Sequence, residues 1–85
     1  MATKVYIGNL SYNTTEETLR NQFSQFGNVE SVKIMLDKFT QKSKGFGFIE
    51  MTDEDEARAA ISGLNQKEID GRKVRVNPAM EKGIR

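Results

Sequence analysis

Eighty-five residues make one domain, and at this length folding buries little more than ~60% of the surface an unfolded chain exposes, so one modest core is expected. Cysteine and histidine are both absent, which excludes disulfides, thiolate metal sites and the usual neutral-pH acid–base group. A net charge of +1 excludes a uniformly basic surface, yet the charge is segregated: residues 33–44 carry +3, residues 71–77 another +3, and residues 53–62 carry −3.

KVYIGNL (4–10) is a short β-rich run. NTTEETLRNQFSQFG (13–27) follows a helical period, with Leu19, Phe23 and Phe26 at i, i+4 and i+7. Thr14 with Glu17 fits a capping box, Thr15 being the other candidate cap, and Gly27 suits a helix stop. VESVKIML (29–36) alternates Val32, Ile34 and Leu36 with Ser31, Lys33 and Met35, and DKFTQKSK (37–44) reads as a polar loop. GFGFIEM (45–51) is a third strand. Thr52 or Asp53 caps a second helix with Ala57, Ala60, Ile61 and Leu64 on one face and four acids near its positive dipole end. Asp70-Gly71 signals a hairpin turn before the strand RKVRVN (72–77), and Pro78 ends the ladder there. The domain is expected to span 1–80, with 81–85 a loose tail.

This order, βαββαβ, predicts an α+β ferredoxin-like sandwich: a four-stranded antiparallel sheet, its first and third strands central, with two helices on one face. Two short helices cover only one face. That face must take Val5, Ile7, Val32, Ile34, Ile49, Met51, Val74 and Val76. Strand alternation then sends Lys4, Tyr6, Gly8, Ser31, Lys33, Met35, Lys44, Phe46, Phe48, Glu50, Lys73, Arg75 and Asn77 to the open face. Gly47 is expected to point inward and admit a helix closely, and Gly8 to leave open space beside Tyr6. Three adjacent rings on a wet face mark a binding site. Rings flanked by Lys and Arg suit single-stranded nucleic acid, which offers bases to stack and phosphates to neutralise. Cross-strand packing of the rings, or cover by the C-terminal tail, is the bland alternative.

KGFGFIEM (44–51) closely resembles the longer signature of RNA-recognition motif domains, with Ile49 for a Val and Met51 for the final aromatic, at a core-facing position. VYIGNL (5–10) resembles the family's shorter, first-strand signature. DKFTQKSKG and LNQKEIDGRKVRVNPA resemble its loop and closing segment, with Gln41 and Gln66 where glycine is frequent. The match covers nearly the whole chain, which is also similar to small single-module RNA-binding proteins of bacteria. The resemblance implies base stacking on Tyr6 and Phe48, insertion of Phe46 between sugars, and a phosphate contact from Lys44. Lys33, Arg75 and Asn77, on the outer strands, would tune affinity or touch base edges, and Lys4 is a further RNA-binding candidate on the open face. Asn77 equally reads as the end of the last strand, and Lys33 and Arg75 as solubility residues. Tyr12 reads as packing near the first helix cap. Phe39 either clasps RNA or packs locally, the second being expected.

The implied ligand is single-stranded RNA, with single-stranded DNA as a further candidate, bound by a monomer without cofactor or metal. An enzyme is not expected. Glu50 stands where a G-x-G-x-x-G fingerprint needs its third glycine, and the paired carboxylates sit at helix starts, where capping accounts for them. The alternative is a protein-interaction module using the helical face. No apolar run approaches the ~20 residues of a membrane span, and MATKVYIGNL lacks the basic-then-apolar layout of a leader, so a cytoplasmic protein is expected.

Overall fold

A computed structural model describes residues 3–40 and 43–79, without the side chains of residues 43 and 44. The chain runs β1 (Thr3–Gly8), α1 (Glu16–Ser24), β2 (Val29–Leu36), β3 (Ser43–Met51), α2 (Glu54–Leu64), β4 (Glu68–Ile69), β5 (Arg72–Lys73) and β6 (Arg75–Pro78). Strands β2-β3-β1-β6 form one sheet in that order, with antiparallel neighbours throughout, so the first and third strands are central as expected. The small ribbon β4–β5 is an addition to the expected architecture.

Strand alternation sorts the sheet into a dry and a wet side. Val5, Ile7, Ile49, Met51, Val74 and Val76 are fully buried and Ile34 nearly so, packed with Leu19 and Phe23 of α1 and Ala57, Ala60 and Leu64 of α2. Val32 is partly buried at the edge of this core. Leu10 and Ile69, outside the expected set, complete it. The alanines of α2 let that helix lie close on the sheet, and Gly63 admits the ring of Phe26.

Helix starts are fixed by side-chain caps. Thr15 accepts the Thr18 amide at 3.2 Å and Asp53 the Glu56 amide at 3.2 Å, each satisfying an orphan donor of a first turn. Thr14 does something else: it is buried, and its Oγ1 donates to Asp70 Oδ2 at 2.8 Å, joining the start of α1 to the distant hairpin. Gly27 does not stop α1 by a left-handed turn. The helix ends at Ser24, and the Glu56 side chain lies over Gly27 while accepting the Asn28 amide at 3.2 Å.

Asp70 and Gly71 have φ of 52° and 86°, the double left-handed pair of a type I′ turn, closing the pairs Ile69–Arg72 and Glu68–Lys73. The expected single strand 72–77 is therefore split. Val74 bonds both ways to the preceding loop, its N–H to Lys67 O at 2.9 Å and its carbonyl to Gln66 N at 2.8 Å, and only Arg75–Pro78 reach β1. Lys73 consequently leaves the open face. Pro78 closes β6 opposite Val5, with one further bond beyond it from Ala79 N to Lys4 O at 3.0 Å. Gly47 is buried, but the backbone it admits is that of β2 at Lys33 and Ile34 and not a helix. The tail 81–85 lies outside the described residues.

Candidate nucleic-acid interface

The register of the central strands sets a grid on the uncovered face. Lys4, Tyr6 and Gly8 of β1 stand opposite Glu50, Phe48 and Phe46 of β3. On the β2 side Ser31 pairs Glu50 and Lys33 pairs Phe48, and on the β6 side Asn77 pairs Tyr6 and Arg75 pairs Gly8. Every one of these outward positions has the parity opposite to the core. The helices pack on the other side, so nothing among the described elements covers the grid.

Tyr6, Phe46 and Phe48 meet at its centre. Their centroids are 6.1 Å (Tyr6–Phe46), 5.9 Å (Tyr6–Phe48) and 6.2 Å (Phe46–Phe48) apart, within the range of favourable aromatic pairs. Phe46 and Phe48 are nearly perpendicular at 89°, whereas Tyr6 is tilted only 30° from Phe46. Mutual packing leaves each ring only partly exposed, which holds its orientation without removing its accessible surface. The space at Gly8 is not open: the Tyr6 ring lies across it, in contact where a Cβ would stand. Glycine there is what allows Tyr6 to lie along the sheet.

Cations and one carboxylate flank the rings. Lys4 Nζ stands 5.6 Å from the Phe48 centroid, a cation–π arrangement. Lys33, Arg75 and Asn77 are exposed on the two outer strands, so the grid brings five of the sequence-nominated residues, Lys4, Tyr6, Lys33, Arg75 and Asn77, beside Phe46 and Phe48. Lys44 follows Ser43 in β3, but its side chain lies outside the described residues. Ser31 Oγ donates to Glu50 Oε1 at 3.0 Å, fixing an acceptor on an otherwise cationic face.

Two aromatic side chains depart from expectation. Tyr12 is 78% exposed and Phe39 92% exposed, so neither packs locally. Asp37 Oδ1 accepts the amides of Phe39 (2.8 Å) and Thr40 (3.1 Å), a turn that holds the Phe39 ring outward. Sequence pattern missed both because each lies in a loop, where no period of two or 3.6 predicts a side chain's direction. Among the described residues no group of His, Cys, Asp and Glu could hold a metal ion, and no helix is long and apolar enough to cross a membrane.

Comparison with known proteins agrees with the geometry. The chain is 49% identical over 79 residues to glycine-rich RNA-binding protein 1 of Mycosarcoma maydis, covering 93% of this chain and 45% of that protein. It is 46% identical over 82 residues to the mitochondrial glycine-rich RNA-binding protein 2 of Arabidopsis thaliana, covering 96% and 52%. The chain thus spans about half the length of these relatives. Its fold superposes on the structure of the Rna15 RRM with bound RNA (GU) with a TM-score of 0.82 at 32% identity, covering 95% of this chain and 86% of that one. The family model for the RNA recognition motif matches residues 5–75, and with the two signatures on adjacent central strands the chain belongs to that family.

Proposed function

We propose that this protein binds a short single strand of RNA, two to four nucleotides long, across the uncovered face of its sheet, since domains of this kind stack about two or three bases on their central aromatics. The observation that carries the reading is the triad of partly exposed rings, each about 6 Å from the others, on the side of the sheet that the helices leave bare. Tyr6 and Phe48 offer faces for bases, and Phe46 sits where it can lie against sugars. Lys4, Lys33, Lys44 and Arg75 supply charge for the phosphates, and Asn77 an amide for a base edge. Relatives named as RNA-binding proteins and a similar domain solved with RNA bound support the same reading.

The protein acts by binding and not by catalysis, as a monomer, in an RNA chaperone or post-transcriptional role. Single-stranded DNA would satisfy the rings and cations as well, and preference for RNA requires contacts to the 2′-hydroxyl. The proposed compartment is the cytoplasm. Some relatives are named as mitochondrial or chloroplastic, so cell fractionation is the direct check. The deciding experiment is titration with randomised short RNA and DNA pools while backbone amide shifts are followed. Binding of neither polymer, or shifts confined to the helices, would favour the protein-interaction alternative.

A further inference from the structure

At one end of the aromatic platform the open face continues into a cleft of about 510 Å³. That volume falls within the ~300–1,000 Å³ typical of small-ligand sites. Tyr6 and Phe46 form one wall, and Tyr12 and Arg72 stand among the residues that complete it. Two features show that this end is held in shape. Ser11 accepts the Asn13 amide on Oγ at 3.1 Å and the Thr14 amide on its carbonyl at 3.1 Å, so Tyr12 projects from a hydrogen-bonded turn with its ring 78% exposed. Arg72 is anchored by Asn9: Nη2 donates to Asn9 Oδ1 at 2.6 Å and Nε to Asn9 O at 3.4 Å. Asn9 is itself fixed, with φ of 58° and its Nδ2 donating to Lys73 O at 2.7 Å. A guanidinium has five N–H donors, and these bonds use only two of them. The neighbouring acid, Asp70, is engaged by Thr14.

We infer that this cleft takes one further nucleotide of the bound strand, its base against Tyr12 and its phosphate on Arg72. The inference rests on the RNA-binding reading above. Continuity selects the occupant: Tyr6 and Phe46 belong both to the platform and to the cleft, so a strand stacked on the sheet enters it without a gap. An aromatic face beside a fixed cation matches the pairing of base and phosphate that the platform itself uses. The consequence is a footprint longer than the sheet alone provides, with Tyr12 acting on long ligands and not on short ones.

The test compares randomised RNA pools of about three nucleotides, which the platform fills, with pools of about six, which also reach the cleft. Tyr12→Ala should weaken the longer pool by about 5- to 150-fold, the range for one stacked base, and leave the shorter pool unchanged. Arg72→Gln should weaken the longer pool and reduce the slope of log affinity against log salt by ~0.7, one phosphate on a single strand. Because Tyr12 is so exposed, its variant reads binding without a folding effect, and thermal unfolding of both variants checks this. Equal loss on both pools, or loss on neither, overturns the cleft, as does a wild-type protein that binds the two pools equally. If the wild-type protein binds neither pool, or Phe48→Ala leaves both affinities unchanged, the RNA-binding reading itself falls and the cleft with it.

Discussion

Replacing Phe48 by Ala separates binding from folding on this surface. The ring is mostly buried with part of its surface exposed, with Tyr6 and Phe46 at 5.9 and 6.2 Å and the Lys4 ammonium at 5.6 Å. Its worth to the fold is about two-thirds or more of the ~1.5–3 kcal/mol of a fully buried side chain plus ~0.5–1.5 kcal/mol of aromatic pairing, roughly 1.5–4 kcal/mol in all. A domain starting at ~5 kcal/mol would keep at least about 1 kcal/mol and be at most about 15% unfolded at 25 °C, so unfolding lowers apparent affinity by less than about a fifth. The loss of a stacked base is far larger, ~1–3 kcal/mol, or about 5- to 150-fold in Kd. Isothermal titration with a short RNA pool measures the second quantity, and urea unfolding of the same sample measures the first. An affinity within twofold of wild type in a folded variant would refute the assignment of this ring. So would a loss that disappears once affinity is expressed per folded molecule. Phe23→Ala is the converse control. That ring is fully buried under the helices, so its removal should cost ~3–5 kcal/mol of stability, with binding by the remaining folded molecules unchanged.

Further outcomes follow from particular contacts. Gly8→Ala places a methyl where the Tyr6 ring lies, so RNA affinity should fall severalfold by titration while urea unfolding shifts little, because Gly8 does not have a left-handed φ. Gly71→Ala, at φ of 86°, should destabilise the domain by about 1–2 kcal/mol in urea, since the new Cβ meets no neighbour and the cost is purely that of the backbone conformation. Thr14→Val removes the buried bond to Asp70 and should cost about 1.5–3 kcal/mol, the range for a hydrogen bond to a charged group, read as a lower midpoint of thermal or urea unfolding. With about three phosphates neutralised, log affinity should fall against log salt with a slope near −2, and a salt-independent interaction would point to a protein partner instead.

The sheet and its two sides were legible because the information is periodic. Val5 and Ile7 against Tyr6, and Ile49 and Met51 against Phe46 and Phe48, differ only in parity, and parity decides the face. Asp70-Gly71 was legible because few residue pairs accept two positive φ angles in succession. What escaped depends on partners distant in sequence. The run 72–77 alternates without a break, yet its first two residues are claimed by Glu68 and Ile69 and its last three by β1, so the strand splits at Val74. Thr14 and Thr15 are equivalent as local caps, and only the approach of Asp70, 56 residues away, separates their roles. Gly47 marks a close approach by β2, which a pattern read along one strand cannot assign. Asn9, the residue that fixes Arg72 beside the platform, gives no periodic signal and acts through contacts 63 residues on.

The most direct measurement follows backbone amide shifts during titration with a short single-stranded RNA. The largest changes should fall on Tyr6, Lys33, Phe46, Phe48 and Arg75, on one face of four adjacent strands. Changes gathered instead on the outer surfaces of α1 and α2, around Arg20 and Arg58, with the three ring-bearing residues unmoved, would contradict the account.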